Sequence, residues 1–448
     1  MSTADPRWRR AGACLFLGLW ILYGILIDDH DTTSFNLQQM GVEAIVERGV
    51  FYVDGSPTPE LKPGGDVFEH DGHLYAAKQP GQFMIGALAY APLHWLGLSY
   101  RGGFLLVASL VTFFTTSLLS AAAALVVFRL AVEWSPPGSL FWPLLAALTF
   151  GLATSAAPYS GVAHHDAIAS AYLVFAFALV TRLDSSSRPV RRPSIVAALA
   201  GFLLGLTLTT SMLPFFMTVA LGLYFVSLGC WRLLPHFLGG AVAGIGPLLF
   251  YNTVNFGNPF LVANVAGEFS DTFFMLDWRN FLDKLSFYGR NVTLYEPVVW
   301  VGIAGYALLP RRLARERTAV AALSFGLVGY LCNIETIGGC QYGPRYLLPA
   351  MPYAALGIVG FAHLGEPLRR AAAAVVIAVA AFSGAVNVLG AMYGAMYCDL
   401  RRYAFAHYLE AVRHDVFRNF PLALWLIVPL GIWFVVAAGR NGELRDGS

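Results

Sequence analysis

The chain has 448 residues, 57% of them hydrophobic and 12% charged, about half the roughly 25% charged share of an ordinary soluble protein. This composition excludes a water-solvated globular body and points to one helical membrane domain over residues 1–448. A formal net charge of only +2 argues against nucleic acid as a partner and leaves the basic residues as membrane-topology signals.

In chain order, Arg7, Arg9 and Arg10 precede an apolar run from Ala11 to Ile27, and Asp28, Asp29 and Asp31 follow at once. No small-residue cleavage site intervenes, so the run is predicted to be an uncleaved first span with its arginines cytoplasmic. Further apolar segments near 103–131, 140–157, 167–182, 195–210, 213–230, 237–253, 293–309, 318–334, 346–363, 371–394 and 420–439 bring the total to twelve. The expected fold class is an all-α polytopic membrane protein of about twelve transmembrane helices, with amphipathic helices at the membrane surface.

The stretch 83–98 has 16 residues and contains Pro92, which is short for a crossing when a helix rises about 1.5 Å per residue. Charge decides its status. If it does not cross, the clusters Arg188/Arg191/Arg192, Arg311/Arg312/Arg315/Arg317, Arg369/Arg370 and Arg440/Arg445 share the side of the N-terminal arginines. If it crosses, all of them fall outside. It is therefore predicted to be re-entrant or interfacial, with both termini cytoplasmic. Segments 28–82, 254–292, 335–345 and 395–419, with the short loop 158–166, become extracytoplasmic.

The first of these loops opens on Asp28, Asp29, His30 and Asp31. A lone acid there would be a solvated cap, but three acids and a histidine in four positions could take a proton from an acceptor hydroxyl just above the bilayer. From Ser34 to Arg48 the pattern is helical, with Phe35, Val42, Ile45 and Val46 on one face and Asn36, Glu43 and Glu47 on the other, as in a helix lying flat on the membrane. A stretch rich in Gly and Pro runs from Val53 to His73, and Lys78-Gln79-Pro80-Gly81 then re-enters lipid. An ammonium there needs an anion, either head-group phosphates in general or the phosphate of a lipid carrier.

Later polar sites are shorter. His164, His165 and Asp166 follow Pro158 to Ala163; they could bind a divalent ion, or Asp166 could support the first-loop acid. No HxxxH or HExxH spacing indicates a zinc hydrolase, and no metal is firmly implied. Tyr251 to Pro259 reads as a structural turn. In Glu335 to Tyr346, Gly338 and Gly339 allow unusual backbone angles, and Pro344 fixes a turn before Arg345, which could fork two hydrogen bonds to a phosphate; Tyr342 lies beside it. The alternative pairs Arg345 with Glu335 or head groups. Phe405, Leu409, Val412 and Val416 share one face of segment 395–419, opposite His407, Glu410 and His414, which predicts an interfacial helix. Cys14, Cys230, Cys332, Cys340 and Cys398 form no CxxC pair and receive no chemical role.

At these residues the sequence resembles the GT-C class of membrane glycosyltransferases, within it the protein O-mannosyltransferases and the aminoarabinose transferases acting on lipid A. That family has an acid opening a long first loop, an interfacial helix, and a Lys-Pro-Pro motif before a short apolar helix. Asp31 matches the acid, Lys78-Gln79-Pro80 stands at Lys-Pro-Pro, and Asp166 matches a second acid in the next external loop. Tyr251 to Pro259 and Gly343-Pro344-Arg345-Tyr346 are similar to later loops of bacterial members. Thr32 after the acid, Gln79 after the lysine and the histidines before Asp166 depart from the pattern. They leave Asp29 and Asp31 both open as the catalytic acid.

The resemblance implies inverting transfer of a sugar from a polyprenyl-phosphate-linked donor to a lipid, glycan or protein acceptor, outside a bacterial plasma membrane. In it, Asp31 or Asp29 would act on the acceptor with Asp166 in support. Lys78, Arg345, His165 and Tyr342 would face the substrates. A multi-span transporter is the main alternative, but no duplication of halves is evident and the ionisable residues gather in loops rather than at mid-span. A lipid-glycan polymerase or ligase would share the carrier and the compartment.

Overall fold

A backbone surrounded by hydrocarbon must satisfy its own N–H and C=O groups, so the apolar segments fold as α-helices. The computed structural model describes residues 6–27, 33–184, 190–261, 263, 278–334, 336–338, 342–394, 403, 405–406 and 409–410. Among them, six helices are long and apolar enough to cross a membrane: Tyr100–Trp134, His165–Leu183, Pro193–Thr210, Trp231–Phe256, Arg345–His363 and Glu366–Tyr393. Shorter apolar helices cover Phe141–Leu152, Phe215–Ser227 and Val298–Leu308. The chain is an integral membrane protein built mainly of helices. The segment 420–439, and all of 395–419 except residues 403, 405–406 and 409–410, lie outside the described residues.

Helix α1 (Pro6–Ile25) packs on the Leu118–Trp134 half of the long Tyr100–Trp134 element, which turns out of regular geometry at Gly103 and again in a π-turn at Phe113–Ser117. Helix α2 (Thr33–Glu43) continues through a π-turn to Arg48, close to the predicted 34–48. The face that carries Asn36 and Glu43 is turned into protein. Glu43 is 0% exposed, and Asn36, Gln38 and Gln39 are buried as well. The reason is a set of partners the sequence pattern does not reveal. Arg48 Nε donates to Glu43 at 3.1 Å, while Glu47 accepts from the Tyr90 hydroxyl and from the Tyr100 N–H at 3.0 Å. Helix α3 (Gly81–Trp95), carrying Pro92, occupies the predicted short segment and packs against α2, where Gly41 faces the Phe83 ring and Gly86 faces Val42 with no room for a Cβ.

Between α2 and α3 lies an element that departs from the all-α expectation, an antiparallel hairpin of β1 (Val67–His70) and β2 (His73–Ala76) in register Phe68 to Tyr75. Asp71 and Gly72 both take positive φ, 49° and 78°, as a two-residue type I′ turn requires. Phe68 and Tyr75 pack on Phe256, at the end of the long helix Leu234–Phe256. The Tyr251–Pro259 turn begins later than predicted. The helix continues to Phe256, Gly257 caps it at φ 67°, and Asn252 Nδ2 donates to the carbonyls of Pro259 (3.0 Å) and Leu261 (2.6 Å).

Helices Pro193–Thr210 and Leu234–Phe256 pack in close backbone contact. Gly201 and Gly205 face Phe237 O and Ala241 O, while Gly240 and Gly244 face Ala198 O and Phe202 O, with no space for a side chain at any of the four. Small residues four apart let backbones approach closely, which is how helices gain contact area when lipid removes the hydrophobic drive between them. Thr209 Oγ1 closes the seam with a 2.9 Å hydrogen bond to Gly244 O.

Candidate functional site

The site is assembled at the N-terminus of helix His165–Leu183. His164 is its N-cap, in extended conformation, and the Asp166 N–H donates to His164 Nδ1 at 3.2 Å. Asp166 follows in the first turn, where the helix dipole favours a carboxylate. It is 1% exposed. Ser211, capping the far end of helix Pro193–Thr210, donates its hydroxyl to Asp166 Oδ1 at 2.7 Å, and His165 Nε2 lies 3.4 Å from the same oxygen. The Gln38 amide nitrogen faces His165 Nδ1 at 3.3 Å. An amide N–H can only donate, so this pairing places the imidazole proton on Nε2, toward the carboxylate.

Arg345 enters from a 3₁₀ turn (Arg345–Ala350) that begins directly after Pro344. Its side chain donates to Gly338 O at 3.1 Å, approaches His164 Nε2 at 3.4 Å and lies over the Tyr346 ring. The residue is 8% exposed, and among the described residues its Nε has no hydrogen-bond partner. Burial holds the His164 imidazole well below its ordinary pKa, and the Arg345 and Lys78 cations push the same way against the opposing pull of Asp166. His164 is therefore neutral, and because its Nδ1 accepts from the Asp166 N–H, the ring proton lies on Nε2, against which Arg345 stands as a close contact rather than a donor.

Lys78 reaches this neighbourhood because helix α3 starts hard against the end of Pro193–Thr210. A Cβ on Gly81 would meet Thr210 Oγ1 at 2.5 Å and Thr209 O at 2.7 Å. The Lys78 ammonium pairs with Asp66 at 3.1 Å. The described chain before the first loop reaches the site too, since Gly161 fits tightly on Leu26 and Ile27, and on the loop's other side stands Gln38.

His164, His165, Asp166 and Arg345 thus meet, with Lys78 acting on them at longer range. Asp29 and Asp31 lie outside the described residues. Tyr342 stands behind the site: its hydroxyl donates to Val386 O at 2.6 Å, and its backbone exchanges hydrogen bonds with Tyr159, whose ring packs on His164. The suggested metal set of His164, His165 and Asp166 does not form. The two imidazoles stack 4.8 Å apart with Arg345 beyond one of them, and among the described residues no cluster of three or more such side chains is arranged to hold a metal ion. Sequence reasoning missed Ser211, Gln38 and Asp66. The run Thr209-Thr210-Ser211 at the end of an apolar segment was a usable signal for the first, while Gln38 and Asp66 carry none.

No protein-family model and no curated protein matches the sequence. Solved structures do. The fold is similar to that of ArnT from Cupriavidus metallidurans bound to undecaprenyl phosphate, with a TM-score of 0.55 at 14% identity over 91% of this chain and 68% of that one. It is also similar to the archaeal oligosaccharyltransferase AglB from Archaeoglobus fulgidus, in complex with an inhibitory peptide and a dolichol-phosphate. There the TM-score is 0.52 at 12% identity, over 93% of this chain and 60% of AglB. The resemblance to GT-C transferases drawn from the motifs therefore holds at the level of the fold.

Proposed function

We propose that this chain is an inverting glycosyltransferase that moves a sugar from a polyprenyl-phosphate carrier to an acceptor hydroxyl on a lipid, glycan or protein. The observation that carries the reading is Arg345, buried beside a neutral imidazole with its Nε unpartnered. A guanidinium with donors to spare suits a tetrahedral phosphate, which accepts several N–H bonds in a fixed plane. Lys78 adds a second positive charge where the chain meets the bilayer. The likeness to ArnT with undecaprenyl phosphate and to AglB with a dolichol-phosphate supports the same reading.

In this reading the acceptor oxygen bonds to the anomeric carbon as the bond from that carbon to the carrier phosphate breaks on the opposite face. The centre inverts, and the hydroxyl proton passes to a carboxylate, Asp31 or Asp29. Lys78 and Arg345 stabilise the charge left on the departing lipid phosphate. Asp166, fixed by Ser211, orients His165 toward the substrates. The protein lies in a bacterial plasma membrane with twelve spans, both termini cytoplasmic and this site outside.

The test uses proteoliposomes containing the purified chain and undecaprenyl-phosphate-linked sugars extracted from native membranes. Asp31→Asn and Lys78→Ala are expected to abolish transfer while the protein still inserts normally, and full activity in both would sink the assignment. Mass spectrometry of cell-envelope glycans, with and without the protein, gives a second check. An unchanged envelope would favour transport.

A further inference from the structure

Lys78 does not stand open in the structure: Asp66 holds its ammonium at 3.1 Å. The contact is built. Asp66 sits in the left-handed backbone region at φ 60°, which most L-residues avoid but which Asp tolerates better than most. The Ala77 N–H donates to Asp66 O at 2.7 Å, tying this backbone to the residue next to Lys78. The two partners are also unequal. The Lys78 side chain is 16% exposed and that of Asp66 32%, so the carboxylate is the one with water to move into.

We infer that Asp66 is the resident counter-anion of Lys78, a residue that sets how tightly the site takes a lipid-linked phosphate because the phosphate must displace it. This rests on the carrier site proposed above. A carboxylate and a phosphate cannot both sit against one ammonium without repelling each other, so the carboxylate swings out as the phosphate enters. Asp66 thereby keeps Lys78 placed and partly neutralised while no carrier is bound.

The experiment titrates the purified full-length chain with undecaprenyl phosphate, with undecaprenol as the uncharged control and inorganic phosphate as the lipid-free one, following tryptophan fluorescence. Asp66→Asn is expected to bind undecaprenyl phosphate about two- to fivefold more tightly, the range an ion pair of this kind allows, with no change for undecaprenol. Asp66→Glu should restore wild-type affinity. A purely structural role predicts weaker binding in Asp66→Asn, and weaker or unchanged binding overturns the inference. So does a gain for inorganic phosphate alone. If the wild-type chain fails to prefer undecaprenyl phosphate over undecaprenol, the carrier reading itself falls. In a Lys78→Met background Asp66→Asn should have no effect, and a surviving effect would also overturn the inference.

Discussion

Replacing Ser211 with alanine removes one hydroxyl from the site, together with the 3.2 Å bond it accepts from the Leu213 N–H, and leaves the helix seam intact. That hydroxyl donates to Asp166 Oδ1 at 2.7 Å, and Asp166 is 1% exposed, so water is not at hand to replace it. A buried hydrogen bond to a charged group contributes about 1.5–3 kcal/mol. The lost bond also frees the carboxylate to rotate away from His165, whose Nε2 stands 3.4 Å from the same oxygen. With about 1.4 kcal/mol equal to a factor of ten in rate, transfer should fall roughly ten- to a hundredfold. Ser211→Thr keeps the hydroxyl and should recover most of the rate. The assay pairs thermal unfolding of purified protein with initial transfer rates from the lipid-linked donor. A Ser211→Ala protein with wild-type unfolding temperature and wild-type rate would refute the reasoning.

Other perturbations follow from the same geometry. Gly201→Leu pushes side-chain atoms into Phe237 O and should abolish monodisperse protein in size-exclusion chromatography, because overpacking a filled contact typically costs about 1–3 kcal/mol or more; Gly222→Ala, with open space around it, should be neutral. Arg345→Lys keeps the charge but loses the fork and should weaken undecaprenyl phosphate binding about tenfold or more, read by the same fluorescence titration. His164 also gives a pH signature. Its folded pKa is lowered from 6.5 by burial, so the unfolded chain binds the extra proton, and stability present above pH 6.5 is lost as pH falls below it. Unfolding temperatures measured across that range should show the decline, and His164→Gln should flatten it.

The sequence made the membrane body legible because its apolar runs are long and its charges rare. It made Lys78, His165, Asp166 and Arg345 legible because each interrupts or bounds such a run, where a charge is costly and so informative. What it hid depends on tertiary partners. Glu43 looks like the solvated side of an amphipathic helix until Arg48, from the following turn, encloses it. Ser211 and Gln38 acquire meaning only when two helix ends and a loop converge on His165–Asp166. The β-hairpin was different, since Asp71-Gly72 between Phe68 and Tyr75 is a recognisable turn pair that the surrounding Gly- and Pro-rich composition obscured.

The glycine seam between Pro193–Thr210 and Leu234–Phe256 also works as a height gauge. The two helices run parallel, since Gly201 meets Phe237 and Gly205 meets Ala241. The first stops at Ser211 beneath Asp166, while the second continues from Gly244 to Phe256, about 18 Å of helix at the usual rise, and carries the aromatic seat of the hairpin that leads to Lys78. Glycines spaced by four would tolerate a slip of one turn. Such a slip would lift the hairpin about 6 Å relative to the acid, and the Thr209 to Gly244 bond pins the register against it.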